Sequence, residues 1–407
     1  MVKLAVVPAC VAVASLSAPA AAFAPQSSFT PAVGATHRHA AARGMTMAAN
    51  ADHDILLRVA RGEQAHRPPV WLMRQAGRYM KDFRAYSDKY AFRHRSETPE
   101  IAIELSLQPW RAFGVDGVIM FSDILTPFPA MGVEFDIVKG KGPAFASPVR
   151  TAADIAAMKI LGEQVDIDAA LPFVGQTLRA LRKETEGGAT LLGFVGAPWT
   201  LGAYAMEGSA PAEAGRAPHM RAMMDADPRL FGEYMTKLAV SVGEYACYQA
   251  EQGAQVIQFF ESWAHRMTVA DFEKWGRPYA EMSMNMVRER HPGVPVIYFA
   301  NGGSAYLESM RGMKCNMIGL DQHVLIDDAR RRLGADVPVS GNVDPDVLLE
   351  SEDAIRAAVQ DCVARAGPRG HILNLGHGVM QQTPEAAVAA FVDAAKQTRY
   401  AESALSV

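Results

Sequence analysis

Residues 117–123, with the sequence Gly-Val-Ile-Met-Phe-Ser-Asp, place two polar side chains directly after a short apolar run. The run is too short for a helix and has almost no polar alternation, which is typical of a strand buried on both faces. Such strands occur in parallel sheets that helices cover. This stretch therefore predicts a parallel strand whose carboxyl end opens onto a polar edge.

Seven other runs of the same kind occur after residue 52, separated by longer amphipathic stretches. They span residues 70–73, 191–195, 256–260, 296–299, 317–320, 337–340 and 372–375. Eight buried strands alternating with helices predict an α/β fold, a closed (β/α)8 TIM barrel in a single domain. A doubly wound open sheet is the competing fold, but no Gly-x-Gly-x-x-Gly follows the first run.

The helices between the runs have recognisable start signals. A capping side chain precedes Pro at Thr98, Asp344 and Thr383, which predicts Pro as the first helical residue in each case. Helical periodicity also predicts long helices over residues 228–252 and 271–290.

The N-terminal part of the chain is typical of a targeting segment. Lys3 precedes an Ala/Val-rich run that ends in small residues at 20–22, as in a signal peptide. Phe23 then begins a stretch with Ser, His and Arg and no acidic residue before Asp52, as in a transit peptide. We expect a signal plus plastid transit segment over residues 1–49, import into the plastid (chloroplast) stroma, and a barrel domain over residues 50–407. Secretion and a membrane anchor are the alternatives.

Composition narrows the class of protein. The 407 residues are 49% hydrophobic with a formal net charge of -4, which is ordinary for a soluble globular protein. This mild charge predicts no nucleic-acid partner and no membrane association of the mature form. The four cysteines show no metal-ligand spacing and no disulfide framework, which predicts no bound metal and a reducing compartment.

Polar side chains stand directly after most of the predicted strands. In a barrel, the loops after the strands meet at one end, so these side chains converge on one mouth. They are Arg74, Arg78, Ser122, Asp123, Trp199, Tyr204, Glu261, Ser262, Asn301, Asp321, Asn342, Asp344 and His377.

Several of these residues suggest specific chemistry. Arg74 and Arg78 are suited to carboxylate capture, because a guanidinium can bind both oxygens; surface ion pairs are the alternative. Asp123 can accept hydrogen bonds from ligand N–H groups and stabilise a positive charge, or it can cap a helix. Tyr204 is a hydroxyl donor or a core residue. His377, between two glycines, is a hydrogen-bond donor, a general acid or, least favoured, a metal ligand.

These segments together resemble the uroporphyrinogen decarboxylase family. The matching stretches, in the order of the family, are residues 69–79 (PVWLMRQAGRY), 121–125 (FSDIL), 196–201 (GAPWTL, followed by Tyr204, Glu207 and Gly208), 260–262 (FES), 341–345 (GNVDP) and 374–378 (NLGHG). The resemblance extends from about residue 54 to residue 399. It implies a homodimeric, cofactor-free barrel enzyme that converts the four acetate side chains of uroporphyrinogen III to methyl groups in haem and chlorophyll biosynthesis.

The resemblance also implies roles for individual residues. Arg74 and Arg78 would bind substrate carboxylates, and Asp123 would hold the pyrrole N–H groups. The backbone of Gln75, Ala76 and Gly77 would line the cleft. The residues that would contact substrate side chains or the ring are Tyr204, Ser262, His377 and Phe92. The chain departs from the family at residues 81–82 and lacks a Pro after Gly378. It is also about one residue short in 86–90, just before Phe92, so the assignment of Phe92 depends most on the alignment.

Decarboxylation requires a sink for an electron pair, which enzymes often supply with a cofactor. No Lys stands at a predicted strand exit, so the protonated pyrrole would serve as its own sink, with Asp123 stabilising the cation. The proton donor is open between Tyr204, His377 and a bound water. Two other functions fit the same scaffold: a methyltransferase, which needs thiolate and His ligands, and an inactive tetrapyrrole-binding protein.

Overall fold

The computed structural model describes residues 52, 54–138, 140–209 and 217–400, so the predicted targeting segment over residues 1–49 lies outside the described residues. The strands in the described part are β1 (Gly117–Ile119), β2 (Phe135–Val138), β3 (Gly142–Phe145), β4 (Thr190–Gly196), β5 (Val256–Glu261), β6 (Val296–Ala300), β7 (Met317–Gly319), β8 (Val339–Ser340) and β9 (His371–Ile372). Seven of them form a parallel sheet in the order β1-β4-β5-β6-β7-β8-β9, and β2 pairs with β3 as an antiparallel hairpin. This order confirms the predicted α/β class, because each sheet strand pairs with the next one along the chain.

Helices connect and surround the strands. The α-helices are α1 (Ile55–Ala60), α2 (Lys81–Ser87), α3 (Phe92–Glu97), α4 (Pro99–Phe113), α5 (Ala152–Ala157), α6 (Ile167–Ala170), α7 (Pro172–Glu184), α8 (Pro198–Glu207), α9 (Pro218–Ala226), α10 (Pro228–Glu251), α11 (Val269–Asp271), α12 (Arg277–Arg290), α13 (Leu307–Met310), α14 (Ile326–Leu333), α15 (Glu352–Ala366) and α16 (Glu385–Gln397). Shorter helical turns span Ala264–Arg266, Gly303–Tyr306 and Pro345–Leu349, and a π-helical turn spans Phe272–Gly276. None of the helices in the described ranges has the length and apolarity needed to cross a membrane.

The segment over residues 69–72 closes the ring between β9 and β1. The Leu373 N–H donates to the Pro69 carbonyl at 2.9 Å, and the Asp116 N–H donates to the Val70 carbonyl at 2.7 Å. Val70 and Leu373 form a parallel bridge. The eighth position of the predicted TIM barrel is therefore filled, although the predicted strand 70–73 is an isolated bridge rather than a regular strand.

A buried ion pair supports this closure. The Asp116 carboxylate accepts hydrogen bonds from Arg67 Nη1 and Nη2 at 2.7 and 2.8 Å, and from the Val70 N–H at 2.8 Å. Arg67 is 1% exposed and Asp116 is 7% exposed, so water does not replace either partner. Arg67 also pairs with Asp52 at 3.1 Å. The segment that enters the barrel is thus fixed to the strand beside it by charge-assisted hydrogen bonds.

Helix α1 covers the end of the barrel where the strands begin. The Leu57 N–H donates to Thr190 Oγ1, on the first residue of β4, at 3.2 Å. Ile55 and Leu56 pack in one apolar cluster with residues of the strands, among them Leu192. With this end closed, the opposite end is the one available for ligands.

Some local predictions are corrected by the structure. The predicted helix over residues 271–290 is interrupted by the π-helical turn Phe272–Gly276, and α16 begins at Glu385, one residue after the predicted Pro. Thr383 therefore does not cap α16. The β2–β3 hairpin has no counterpart in the prediction, because its short strands interrupt the alternation of barrel strands and helices.

The first prediction concerns the contribution of the Arg67–Asp116 pair to stability. Replacing Asp116 by Ala leaves a buried guanidinium with Asp52 as its remaining carboxylate partner, so the free energy of unfolding should fall by about 3 kcal/mol. Urea unfolding of residues 50–407 measures this loss. The control is Glu233→Ala, which removes an exposed pair with Arg229 and should cost less than about 0.5 kcal/mol. Equal losses in the two variants would show that the buried pair does not hold the closure.

Candidate active site

The predicted site residues come together at the end of the barrel where the strands finish. We define the mouth as the region formed by Arg74, Arg78, Ser122, Asp123, Tyr204, Ser262 and His377. Each of these residues follows a strand or the closing segment, or lies on the helix that follows a strand. The charge of Arg74 acts to lower the pKa of Asp123 and of His377, and the charge of Asp123 acts to raise the pKa of Tyr204, so these side chains lie near one another. The predicted convergence of these side chains is therefore present in the fold.

The two arginines of the mouth have no counter-ion. Arg74 and Arg78 are both exposed, and neither forms an ion pair with any residue in the described part of the chain. Arg74 has a left-handed backbone with φ of 59°, which is uncommon for a residue other than glycine. A Cβ atom added to Gly378 would lie 2.3 Å from Arg74 Cδ, so the arginine side chain lies directly against this glycine. The surface ion-pair alternative is not realised, and both cations are available to an anionic ligand.

Gln75 fixes the turn that carries these arginines. Its side chain is buried, donates to the Gly117 carbonyl of β1 at 3.0 Å and accepts from the Leu72 N–H at 3.2 Å. Ala76 and Gly77 are partly exposed. The Gln75 side chain is thus used for structure, and the backbone of the two residues after it remains accessible beside the mouth.

Asp123 is half-buried and has one oxygen engaged. Its Oδ1 accepts from the Leu125 N–H at 2.8 Å, and no other described residue donates to the carboxylate. Burial raises the pKa of Asp123, while the Leu125 N–H and the positive charge of Arg74 act in the opposite direction. A carboxylate that burial destabilises in this way gains most from a ligand that brings N–H donors or positive charge.

Tyr204 packs against Trp263, a residue that the sequence did not single out. Their ring centroids are 4.5 Å apart with an interplanar angle of 50°. Burial raises the pKa of Tyr204, a hydrogen bond with the Trp263 side chain lowers it, and the charge of Asp123 raises it. The tyrosine is therefore a neutral hydroxyl group at neutral pH. Trp263 could be found only by knowing the fold, because its partner lies 59 positions away.

Glu261 and Ser262 stand together at the end of β5 and differ in their surroundings. Glu261 is fully buried, and its Oε1 accepts from the Thr200 N–H at 2.8 Å and from the Thr200 hydroxyl. Its Oε2 has no hydrogen-bond partner. Burial raises the pKa of Glu261 to about 8. Ser262 is partly exposed, and its carbonyl accepts from Asn301 Nδ2 at 3.2 Å.

His377 forms the side of the mouth next to the end of β7. Burial lowers its pKa, and the positive charge of Arg74 lowers it further. A Cβ atom added to Gly376 would lie 2.2 Å from the Gln322 backbone nitrogen, so the loops after β7 and β9 touch. His265 also influences the charge of His377, although the sequence did not predict it. At neutral pH, His377 is thus a neutral imidazole that can donate one hydrogen bond and accept another.

Phe92 lies beside the mouth and contacts the strand exit that carries Asp123. Its ring centroid is 5.4 Å from that of Phe121, and the Arg95 guanidinium lies 5.3 Å from the Phe92 centroid. Arg95 is 7% exposed, and its Nη1 has no hydrogen-bond partner. Burial lowers the pKa of Arg95, and the neighbouring charge of Arg78 adds to this effect. Arg95 is a further cation near the mouth that the sequence did not identify, although it follows Phe92 by one helical turn.

The other polar residues predicted at strand exits organise the backbone rather than the mouth. Asp321 accepts from the Ser304 and His323 N–H groups at 3.2 and 2.9 Å. Trp199 is buried, as expected for a packing residue. The residues whose side chains bond to backbone groups are Asn301, Asp321, Asn342 and Asp344.

The described residues contain no group of three or more His, Cys, Asp or Glu side chains arranged to hold a metal ion. Burial raises the pKa of Cys247 and of Cys362 to about 11, and that of Cys315 to about 12. These thiols are therefore protonated at neutral pH in the protein without a ligand.

Comparison with known proteins agrees with this geometry. The family model described as uroporphyrinogen decarboxylase (URO-D) matches residues 51–398. A uroporphyrinogen decarboxylase from Crocosphaera subtropica is 47% identical over 347 residues, which is 85% of this chain and 96% of the relative. One from Nostoc sp. is 48% identical over 343 residues, 84% of this chain and 96% of the relative. A solved structure of a methyltransferase from Methanosarcina mazei has a TM-score of 0.71 at 18% identity, covering 84% of this chain and 97% of that one, which shows a shared fold alone.

The second prediction concerns the effect of the buried Glu261 carboxyl group on the pH dependence of stability. Because its pKa is raised to about 8 in the folded state, it stabilises the fold fully below its unfolded pKa of about 4.5. That contribution is lost as the pH rises through 8. Between pH 5.5 and pH 8.5, the wild type should therefore lose on the order of 2–3 kcal/mol of stability relative to Glu261→Gln, which cannot ionise. Urea unfolding of both proteins at the two pH values measures the difference, and parallel pH profiles would contradict it.

Proposed function

The chain belongs to the uroporphyrinogen decarboxylase family, and we propose that it converts the four acetate side chains of uroporphyrinogen III to methyl groups with release of carbon dioxide. The product is coproporphyrinogen III, in haem and chlorophyll biosynthesis. One observation in the structure supports this most directly. Two arginines without counter-ions and a half-buried carboxylate with a free oxygen share one mouth.

The arginines match the outer part of such a substrate. Uroporphyrinogen carries carboxylates around its rim, and Arg74 and Arg78 are exposed on the same turn with no competing acid. A charge-assisted hydrogen bond contributes about 1.5–3 kcal/mol. These contacts bind the rim carboxylates and orient the macrocycle, so that its centre lies over the mouth. Phe92, Ser262 and His377 would contact the ring and its side chains; Phe92 packs against Phe121 beside Asp123, and His377 lies near Arg74.

Asp123 matches the centre of the substrate. The pyrrole N–H groups of the macrocycle point inward, and the free oxygen of Asp123 can accept from them. Protonation of a ring carbon beside the acetate-bearing position makes the pyrrole cationic. The carbon–carboxylate bond then breaks, its electron pair enters the ring, carbon dioxide leaves, and protonation of the exocyclic carbon with loss of the ring proton gives the methyl group. Asp123 interacts more strongly with the cation than with the neutral ring, and such differential binding lowers the barrier.

Three groups could donate the proton to the pyrrole carbon: the side chains of Tyr204 and His377, and a bound water. Tyr204 is a neutral hydroxyl group because burial raises its pKa. His377 is a neutral imidazole because burial lowers its pKa. No step above needs a sink other than the pyrrole itself. The assay is anaerobic incubation of residues 50–407 with uroporphyrinogen III without added cofactor, following stepwise loss of carboxyl groups by mass spectrometry. A protein that leaves the substrate intact would refute the proposed function.

A metal-dependent methyltransferase on the same scaffold is less favoured, because the described residues contain no group of three or more His, Cys, Asp or Glu side chains that could hold a metal ion. Stoichiometric zinc in the purified protein would favour it. A tetrapyrrole-binding protein without catalysis would keep Arg74 and Arg78 but would not need Asp123.

The third prediction separates catalysis from binding. Asp123→Asn keeps the shape of the side chain and its hydrogen bond from Leu125, but it removes the negative charge and puts an NH2 group in place of the free oxygen. We expect kcat to fall about 100- to 1,000-fold, the usual effect of losing an electrostatic contact to the transition state, while Arg74 and Arg78 still bind coproporphyrinogen through its carboxylates. Steady-state kinetics and fluorescence titration measure the two effects. Asp136→Asn, at an exposed position of β2, is the control and should behave as the wild type. Unchanged turnover in Asp123→Asn would contradict the electrostatic role.

The fourth prediction concerns the arginine turn. Gly378→Ala places a methyl group 2.3 Å from Arg74 Cδ and forces that side chain away from its position. Loss of one charge-assisted contact corresponds to an increase of about tenfold or more in KM. The matched control is Gly293→Ala, where the nearest atom is 3.9 Å away, and its KM should be unchanged. The same KM in both variants would show that Arg74 does not bind substrate.

We also propose plastid localisation and a homodimer. The N-terminal sequence is typical of a signal plus transit peptide, and the relatives named above are cyanobacterial, as expected for a plastid protein. A fusion of residues 1–49 to a fluorescent protein tests the localisation in an alga with a secondary plastid, and secretion would refute it. Light scattering of residues 50–407 tests the dimer.

A further inference from the structure

The buried carboxyl group of Glu261 is linked to Tyr204 by two sets of contacts, one through Thr200 and one through Trp263. We propose that Glu261 is a positioning residue for Tyr204 and acts through Thr200 and Trp263. The proposal deepens the proposed function and rests on it, because it assigns a role in the decarboxylation site to a residue that lies beneath the mouth.

The first support runs through the helix that carries the tyrosine. Glu261 Oε1 accepts from the Thr200 N–H at 2.8 Å and from the Thr200 hydroxyl. Thr200 is the third residue of α8 and precedes Tyr204 by one helical turn, so the two residues lie on the same face. A carboxyl group at this end of a helix satisfies a backbone N–H that has no partner within the helix. Glu261 therefore fixes the depth and rotation of the turn from which Tyr204 projects.

The second support runs through the loop after β5. The Trp263 N–H donates to Thr200 Oγ1 at 3.1 Å, while the same hydroxyl donates its proton to Glu261. This hydroxyl is therefore a donor to one partner and an acceptor from the other. Trp263 packs its ring against that of Tyr204, with the ring centroids 4.5 Å apart. The position of the indole thus depends on the same threonine.

The three residues of this network are buried. Glu261 and Thr200 are fully buried, and Trp263 is 5% exposed. A buried carboxyl group is costly unless it is hydrogen-bonded, yet Glu261 Oε2 has no hydrogen-bond partner. The titratable groups that face it are the buried hydroxyls of Tyr298 and Tyr306. An apolar side chain would avoid the cost of burial, but it would release both Thr200 and Trp263.

Two substitutions separate positioning from direct acid catalysis. Glu261→Gln keeps an oxygen that accepts from Thr200, so kcat should remain within about twofold of the wild type. Glu261→Ala removes the acceptor, and kcat should fall about tenfold while KM stays unchanged, because Arg74 and Arg78 still hold the carboxylates. A kcat for Glu261→Gln as low as that for Glu261→Ala would overturn the proposal, since it would show that the ionisable proton itself is needed.

A double-mutant cycle with Tyr204→Phe tests the coupling. If Glu261 acts through Tyr204, adding Glu261→Ala to Tyr204→Phe should lower kcat by less than about twofold further, although it lowers kcat about tenfold on its own. The control is Ser283→Ala, which removes a buried hydroxyl bonded to the Ala239 carbonyl on the outer helices and should have the same effect in both backgrounds. Multiplicative effects of Glu261→Ala and Tyr204→Phe would overturn the positioning role. All kcat values are taken on uroporphyrinogen III, so an inactive wild type would refute the proposed function, whereas an active wild type with multiplicative losses would refute this inference alone.

Discussion

The closure of the barrel by the segment over residues 69–72 is the constraint on which the mouth depends. Few backbone hydrogen bonds join this segment to β9 and β1. Buried side chains form further hydrogen bonds with its backbone. Asp116 binds the Val70 N–H and Arg67 at one end, and Asn374 Oδ1 accepts from the Met73 N–H at 3.0 Å at the other. Because Arg74 follows immediately, the position of the turn that carries Arg74 and Arg78 is set by polar contacts within the barrel wall.

The mouth contains charged groups that no side chain of the described residues neutralises. Arg74 and Arg78 have no counter-ion among the described residues, and Asp123 has a pKa raised by burial and one free oxygen. Each of these groups would be better satisfied by a ligand that carries carboxylates at its rim and N–H donors at its centre. Groups that have no partner within the protein are available to the substrate and to the transition state.

The sequence predicted the fold and the convergence of the mouth, because both depend on local patterns. Short apolar runs gave the strands, and their polar ends gave Arg74, Asp123, Tyr204 and His377. It did not predict the isolated bridge at Val70, since a run of four apolar residues is the same in a strand and in a bridge. Nor did it reveal the role of Trp263 or Arg95, whose partners are brought close only by the fold. The sequence placed Asn301 and Asp321 at the mouth. It could not show that their side chains form hydrogen bonds with the backbone, because the bonded groups come from other loops of the fold.

The most direct measurement is a crystal structure of residues 50–407 with coproporphyrinogen III bound under anaerobic conditions. The account predicts the macrocycle across the mouth, with an Asp123 oxygen about 2.7–3.2 Å from the pyrrole nitrogens. It also predicts a rim carboxylate on the Arg74 or Arg78 guanidinium. A macrocycle bound elsewhere, or nitrogens that lie beyond hydrogen-bond distance of Asp123 while the carboxylate contacts only Leu125, would contradict the account.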